Sequence, residues 1–313
     1  MTAAAGRQDE TGMVSATLQT SVTPVQPGVL RDVVSLLKPR VTLLVVFTMG
    51  TGMVLARGSV GGLRAALALL GCVLLVASAN ALNCYLERAS DGFMTRTRQR
   101  PLPAGRLHAG WALCVGSVLA VLSVPLLWWA ANPLTAWLRV FSHVVYVGAY
   151  TPLKRVTAWS TVIGFVPGAM PPLMGYTTMT GSLDATGAML FLVLFTWQLP
   201  HTLAIGLFRG KEYAAAGVRV IPHALGDVAA ARQVAWTTLA LVPVTLSFPV
   251  LGAAGWLYTA VACVLGGMFV RRAWPGLRGD AVDLGWARGV FFFSMGYLTL
   301  VLAALGLDRI ILG

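Results

Sequence analysis

The sequence predicts an all-α fold, a polytopic membrane bundle of about nine transmembrane helices, and three observations lead there. Of 313 residues, 57% are hydrophobic and 11% charged, with a mean hydropathy of +0.76, whereas ordinary soluble domains carry roughly 25% charged residues. Apolar runs of about 20 residues, the length a helix needs to cross about 30 Å of hydrocarbon, recur through most of the chain. The period-two alternation of a transmembrane barrel is absent, so backbone hydrogen bonds in lipid must close within helices.

In chain order the apolar runs fall near 30–56, 63–86, 111–131, 134–150, 159–180, 188–208, 234–251, 255–270 and 289–307. Residues 1–29 hold one Arg and two acids among Thr, Ser, Val and Gln and lack the apolar core of a signal peptide, which predicts a short disordered cytoplasmic tail. Residues 30–313 then form a single transmembrane domain. Cys72, Cys84, Cys114 and Cys263 all lie within apolar runs without C-x-x-C spacing, and are read as buried small hydrophobes.

The formal net charge of +12 could signal nucleic acid, so its distribution decides what it is for. With the N-terminus inside, only Arg57, Arg64 and Arg309 of the 23 Lys and Arg fall outside, and Arg139 lies within the fourth run. Every other one lies on the inner side, which sets an N-in, C-out orientation and makes nucleic acid unnecessary as a partner. Much of the positive charge is therefore topological. The inner connections, 87–110, 151–158, 209–233 and 271–288, are also longer and more polar than the outer ones, which places the functional face on the cytoplasmic side. The first and third of them share a loose acid, base and proline order, a hint of pseudo-symmetry.

Three inner clusters carry chemistry. In NCYLERASD, Asn83, Glu87 and Asp91 recur at intervals of four, with Asn80 on the same side, so a helix reaching past the bilayer edge would present an amide and two carboxylates on one stripe. Magnesium takes hard oxygen ligands, typically one or two carboxylates plus substrate phosphates. An arginine-rich loop follows directly (Arg96, Arg98, Arg100), supplying donors matched to a diphosphate. The second cluster is WQLPHTLAIGLFRGKEY, which sets Gln198, His201, Ile205 and Glu212 on one face and places Glu212, beside Lys211, as an opposite acidic wall. The third is YTPLKRVTAWSTVIGFVPGAMPPLMGY. It brings Tyr150, Lys154 and Arg155 to the rim, and its Pro167, Pro171 and Pro172 with Gly164, Gly168 and Gly175 predict a kinked helix, or one whose backbone neighbours approach closely, lining a cavity.

These clusters match one family in order and spacing. The chain resembles the UbiA superfamily of intramembrane prenyltransferases, whose first motif, N-x-x-x-D-x-x-x-D, reads here Asn83, Glu87, Asp91. Within it, YTPLKR (150–155), the G-A-x-P-P-L-x-G-Y stretch (168–176), W-Q-x-P-H (197–201) and the KEY element before Pro222 resemble the heme-modifying branch. The likeness runs from about Leu36 to Pro222. Glu87 and Glu212 depart from it, each standing where that family usually has Asp, and so do Thr202 and Ser160.

The resemblance implies a UbiA-like bundle in the bacterial inner membrane that transfers farnesyl from farnesyl diphosphate to a vinyl group of protoheme IX, giving heme O, with Mg²⁺ as cofactor. It implies Asn83, Glu87, Asp91 and Glu212 as metal ligands, with Tyr150 near the leaving group. Arg96, Arg100, Lys154, Arg155 and Lys211 become diphosphate-binding, and His201 with Gln198 heme contacts. Membrane lipid surrounds the chain, and a heme A synthase or a terminal-oxidase assembly stands downstream. Two other readings stay open: a sister prenyltransferase with an aromatic or chlorin acceptor, and a secondary transporter. A transporter buries charge at the midplane, whereas here acids and bases lie at the inner rim. Arg139 is the exception, and is read as a residue near the outer end snorkelling to the interface.

Overall fold

The computed structural model describes residues 28–58, 60–279 and 282–312. The tail expected over residues 1–29 lies almost wholly outside the described residues. The described chain is helical, in the order α1 (Val29–Leu36), α2 (Pro39–Leu55), α3 (Gly62–Asp91), α4 (Ala109–Ala130) and α5 (Pro133–Val144). A π-helical stretch (Val145–Tyr150) leads into α6 (Thr151–Leu153), then α7 (Ser160–Thr180), α8 (Ala185–Ala215), α9 (Ile221–Leu225), α10 (Asp227–Thr245) and α11 (Ser247–Val250). The chain closes with α12 (Trp256–Ala273), a 3₁₀ turn (Trp274–Leu277) and α13 (Leu284–Leu312). Each apolar run is helical, as the hydropathy requires.

Five helices among the described residues are long and apolar enough to cross a membrane, or six if the bent α1–α2 pair counts as one span. The chain is an integral membrane protein. Four features differ from the sequence reading. The first run is not one helix, because α1 and α2 meet at a bend of 43°. Lys38, left-handed at φ 48°, stands at that bend before Pro39, whose ring disfavours helical conformation in the residue preceding it. The fourth run changes to π geometry at Val145, just before Pro152, a residue that has no N–H for an α-helical bond and would press on the Gly148 carbonyl.

The third difference is α7, which runs through Pro167, Pro171 and Pro172 without interruption. Small residues let α2 hold it closely: a side chain on Gly175 would strike the Met49 carbonyl, and one on Gly52 the Pro172 carbonyl. Such close backbone approach substitutes for the hydrophobic effect, which cannot drive helices together in lipid. The fourth concerns cysteine: Cys72 and Cys84 are buried, but Cys114 and Cys263 are exposed on the outer faces of α4 and α12.

Polar anchors fix the helix ends. Asn132 caps α5 and donates from Nδ2 to the Thr177 carbonyl of α7 at 2.7 Å. Asp184 caps α8 and accepts from the Tyr176 hydroxyl at 2.6 Å. A bidentate pair between Arg106 and Asp32, both contacts 3.1 Å, ties α1 to the loop after α3. That loop and the loop after α8 also meet directly, Met94 packing with Ala216, Val218 and Tyr213. Three of the long polar connections thus converge, since the Arg219 amide also donates to the Lys154 carbonyl at 2.9 Å.

Candidate active site

Helix α3 continues to Asp91, past the end of its apolar run, so the four-residue spacing is realised as one buried stripe. Asn80, Asn83, Glu87 and Asp91 are 5%, 3%, 6% and 1% exposed, far below what unpaired carboxylates at a helix end would show. Each is held from another part of the chain. The Lys154 ammonium contacts Glu87 Oε1, the same oxygen that accepts from Asn83 Nδ2. Arg100 Nη1 lies 2.7 Å from Asp91 Oδ2, and Thr97 Oγ1 donates to the Asp91 carbonyl at 2.7 Å. Arg155 reaches Ser90 Oγ at 2.9 Å. Arg96 is exposed on the same loop.

Lys38 is a site residue that sequence reading passes over as topological charge. Its ammonium donates to Asn83 Oδ1 at 2.9 Å, and the left-handed turn that aims it there is the one positive-φ conformation of a non-glycine among the described residues. Such conformations persist only where surrounding structure enforces them, and they cluster at functional sites. The available signal was weak: a lysine placed directly before a helix-starting proline.

Beside the stripe lies a cavity of about 290 Å³ between α2, α3, α5, the π segment, α7 and α8. Its walls are mostly apolar (Val41, Val45, Val76, Phe165, Pro171), with Asn80, Tyr146, Tyr150, Gln198 and Thr202 among the polar groups. Tyr150 belongs also to a smaller hollow of about 70 Å³ that includes Lys154, Tyr213 and Arg219, so it stands where the cavity meets the rim. Glycines shape this junction, since a side chain on Gly164 would strike the Tyr150 ring and one on Gly168 the Gln198 amide.

The second cluster is arranged differently from its sequence reading. Gln198 lines the cavity and donates to the Phe165 carbonyl of α7 at 3.0 Å. His201 faces the other way. Its Nδ1 meets Ser294 Oγ of α13 at 2.7 Å, and its ring stacks between Trp197 and Phe291. On a helix, positions 201 and 202 lie about 60° and about 40° to opposite sides of 198, so one can meet α13 while the other meets the cavity. Thr202 accordingly takes the cavity position proposed for His201. Glu212 is half-exposed and pairs with Arg209 of its own helix at 3.2 Å, not with Lys211, which is exposed. No group of three His, Cys, Asp or Glu close enough to hold one metal ion occurs among the described residues, so Glu212 and the α3 acids form two separate edges.

The donor set nevertheless fits a hard cation. Asp91 Oδ1 is buried without a hydrogen-bond partner, and an orphaned carboxylate oxygen at that depth is costly unless something else satisfies it.

Residues 44–296 match the family model described as the UbiA prenyltransferase family. The chain belongs to that family. Among its UbiA relatives, a protein named protoheme IX farnesyltransferase from Myxococcus xanthus (strain DK1622) is 47% identical over 285 residues, covering 91% of this chain and 96% of that one. Another of the same name from Anaeromyxobacter dehalogenans (strain 2CP-C) is 43% identical over 297 residues, covering 95% and 100%. Among solved structures, a digeranylgeranylglyceryl phosphate synthase superposes with a TM-score of 0.76 at 16% identity, over 90% of this chain and 98% of that one. A UbiA homologue from Archaeoglobus fulgidus bound to GPP and Mg²⁺ superposes at 0.60 with 15% identity, over 88% and 99%. At these identities the structures establish the shared UbiA fold.

Proposed function

We propose that the chain is a membrane-embedded farnesyltransferase that joins the farnesyl group of farnesyl diphosphate to a vinyl carbon of protoheme IX, giving heme O and diphosphate. The observation that carries this reading is the buried Asn83, Glu87, Asp91 stripe, ringed by Lys38, Lys154 and Arg100, beside an apolar cavity entered past Tyr150. The acceptor is supported by the relatives, which match over nine tenths of the chain and bear the name of that reaction. The reading includes nine spans, N-in and C-out, in a bacterial inner membrane with the site facing the cytoplasm. The one-sided placement of Lys and Arg supports that orientation.

Residue by residue, the chemistry is one of charge placement. Asn83, Glu87 and Asp91, with Glu212 across the rim, would hold Mg²⁺, which when bound neutralises the diphosphate and makes it a better leaving group. Arg100, Lys154 and Lys38 add fixed positive charge in the same place, and Arg96, Arg155 and Lys211 enlarge the basic rim. As the allylic carbon–oxygen bond breaks, its electron pair leaves with the diphosphate. Tyr150 and the apolar walls keep water from the allylic cation until the vinyl π pair attacks it. The positive charge then rests on the carbon next to the porphyrin ring, where water adds and gives up a proton.

The test is direct. Purified protein is incubated with protoheme, farnesyl diphosphate and Mg²⁺, and the products are read by mass spectrometry. Prenylated, hydrated heme is expected. Farnesyl transfer to an aromatic acid in its place, with none to heme, would move the chain to the sister enzymes.

A further inference from the structure

Arg139 of α5 is 4% exposed and lines the cavity together with His143, one turn further along the same helix. It does not snorkel to an interface, as its place in the sequence suggests. Its Nε has no hydrogen-bond partner, His143 Nδ1 has none either, and none of the salt bridges among the described residues involves Arg139. A guanidinium turned into an apolar, membrane-buried hollow with no acid beside it is costly, and charges in that position mark a ligand or a pathway.

The chemistry of the missing partner can be narrowed. A prenyl chain offers no acceptor, so a cavity that held only hydrocarbon would leave the guanidinium unsatisfied. The diphosphate is engaged at the rim, and Arg139 lies roughly 15 Å deeper along the helix than Tyr150, at about 1.5 Å per residue. What reaches Arg139 must therefore carry a second anionic group, a carboxylate, remote from its reacting carbon. Protoheme meets that chemical requirement, since its vinyl and propionate groups stand at different edges of one rigid ring.

We infer that Arg139, assisted by His143, is a carboxylate-binding subsite that grips a propionate of the tetrapyrrole acceptor and thereby aims a vinyl group at the rim. The inference rests on the proposed farnesyl transfer to heme and adds how the acceptor is held. Arg139 is in these terms a substrate-binding residue.

The experiment compares protoheme with its dimethyl ester, which keeps both vinyl groups and removes both negative charges. The wild-type protein should show a KM about tenfold or more higher for the diester, the fold-change that loss of one charge-assisted hydrogen bond produces. Arg139→Gln should raise the KM for protoheme by a similar factor, abolish the preference for the free acid, and leave the KM for farnesyl diphosphate unchanged. Arg139→Lys should restore part of that preference. Equal use of acid and diester by the wild-type protein, or an Arg139→Gln variant that keeps the preference, overturns the inference.

A binding arm separates this outcome from failure of the reaction itself. Fluorescence titration of the wild-type protein with metal-free protoporphyrin IX and with its dimethyl ester reads carboxylate recognition without turnover and without any variant having to fold. Absence of heme product refutes the proposed reaction. Absence of acid-over-ester preference in the titration refutes the subsite.

Discussion

The two acidic edges of the rim are built differently. On α3, Asn83, Glu87 and Asp91 are buried, and their partners come from the α1–α2 bend (Lys38), the segment after α6 (Lys154) and the loop after α3 (Arg100). On α8, Glu212 is half-exposed and its partner is three residues away on the same helix. The first edge is a junction of several elements, so its geometry is fixed by tertiary structure and its charges interact in a low dielectric. The second is a local surface pair of the kind worth well under about 1 kcal/mol. A catalytic anion site needs preorganised charge, and only the α3 edge has it before anything binds.

The sharpest way to break this contrast is Asp91→Asn, which keeps shape and hydrogen bonding but removes the charge. Heme O formation should fall by about 10³-fold or more, as when a preorganised electrostatic contact to the transition state is lost. Activity within tenfold of wild type would mean that the α3 stripe is not the metal-holding edge. Next in size is Lys38→Met. Losing a buried charge that orients Asn83 should lower kcat/KM by about 10- to 100-fold, while far-ultraviolet circular dichroism stays helical. An unchanged KM for farnesyl diphosphate together with unchanged kcat would return Lys38 to a purely topological role.

Glu212→Gln sharpens the comparison from the other side. A half-exposed carboxylate already engaged by Arg209 should contribute less, so a loss of about tenfold is expected, with activity saturating at a higher Mg²⁺ concentration. A loss as deep as that of Asp91→Asn would show that the two edges close on one another during the reaction and carry equal weight.

How much of this was legible beforehand follows the same division. The α3 stripe could be read because four-residue spacing is a property of the helix alone, and α3 extends far enough to realise it. The helical runs could be read because lipid leaves the backbone no other solution. Lys38 could not, because Pro39 beside it predicts only a departure from helical conformation, whereas its role rests on a tertiary contact with Asn83 of α3. Nor could Arg139: position in an apolar run gives depth, whereas its direction into the cavity depends on which face α5 turns towards α3 and α7. The prolines and glycines of α7 predicted a kink or a close approach of backbones; the helix is continuous, the close approach to α2 is made, and the cavity beside it is present.

The smallest expected effect concerns His201, on the same helix as Glu212 but turned towards α13. If it were a heme contact, His201→Phe would raise the KM for protoheme without altering farnesyl diphosphate binding. In the structure its ring is stacked between Trp197 and Phe291 and its polar contact is to Ser294, so phenylalanine keeps the aromatic packing and loses one hydrogen bond. The expected result is destabilisation by about 0.5–1.5 kcal/mol in thermal unfolding, with both Michaelis constants unchanged within about twofold. The same substitution at Thr202, one residue along and facing the cavity, should do the reverse: stability nearly unchanged and acceptor binding impaired by the added bulk. If His201→Phe raises the protoheme KM instead, α8 must rotate when the acceptor binds and bring position 201 towards the cavity.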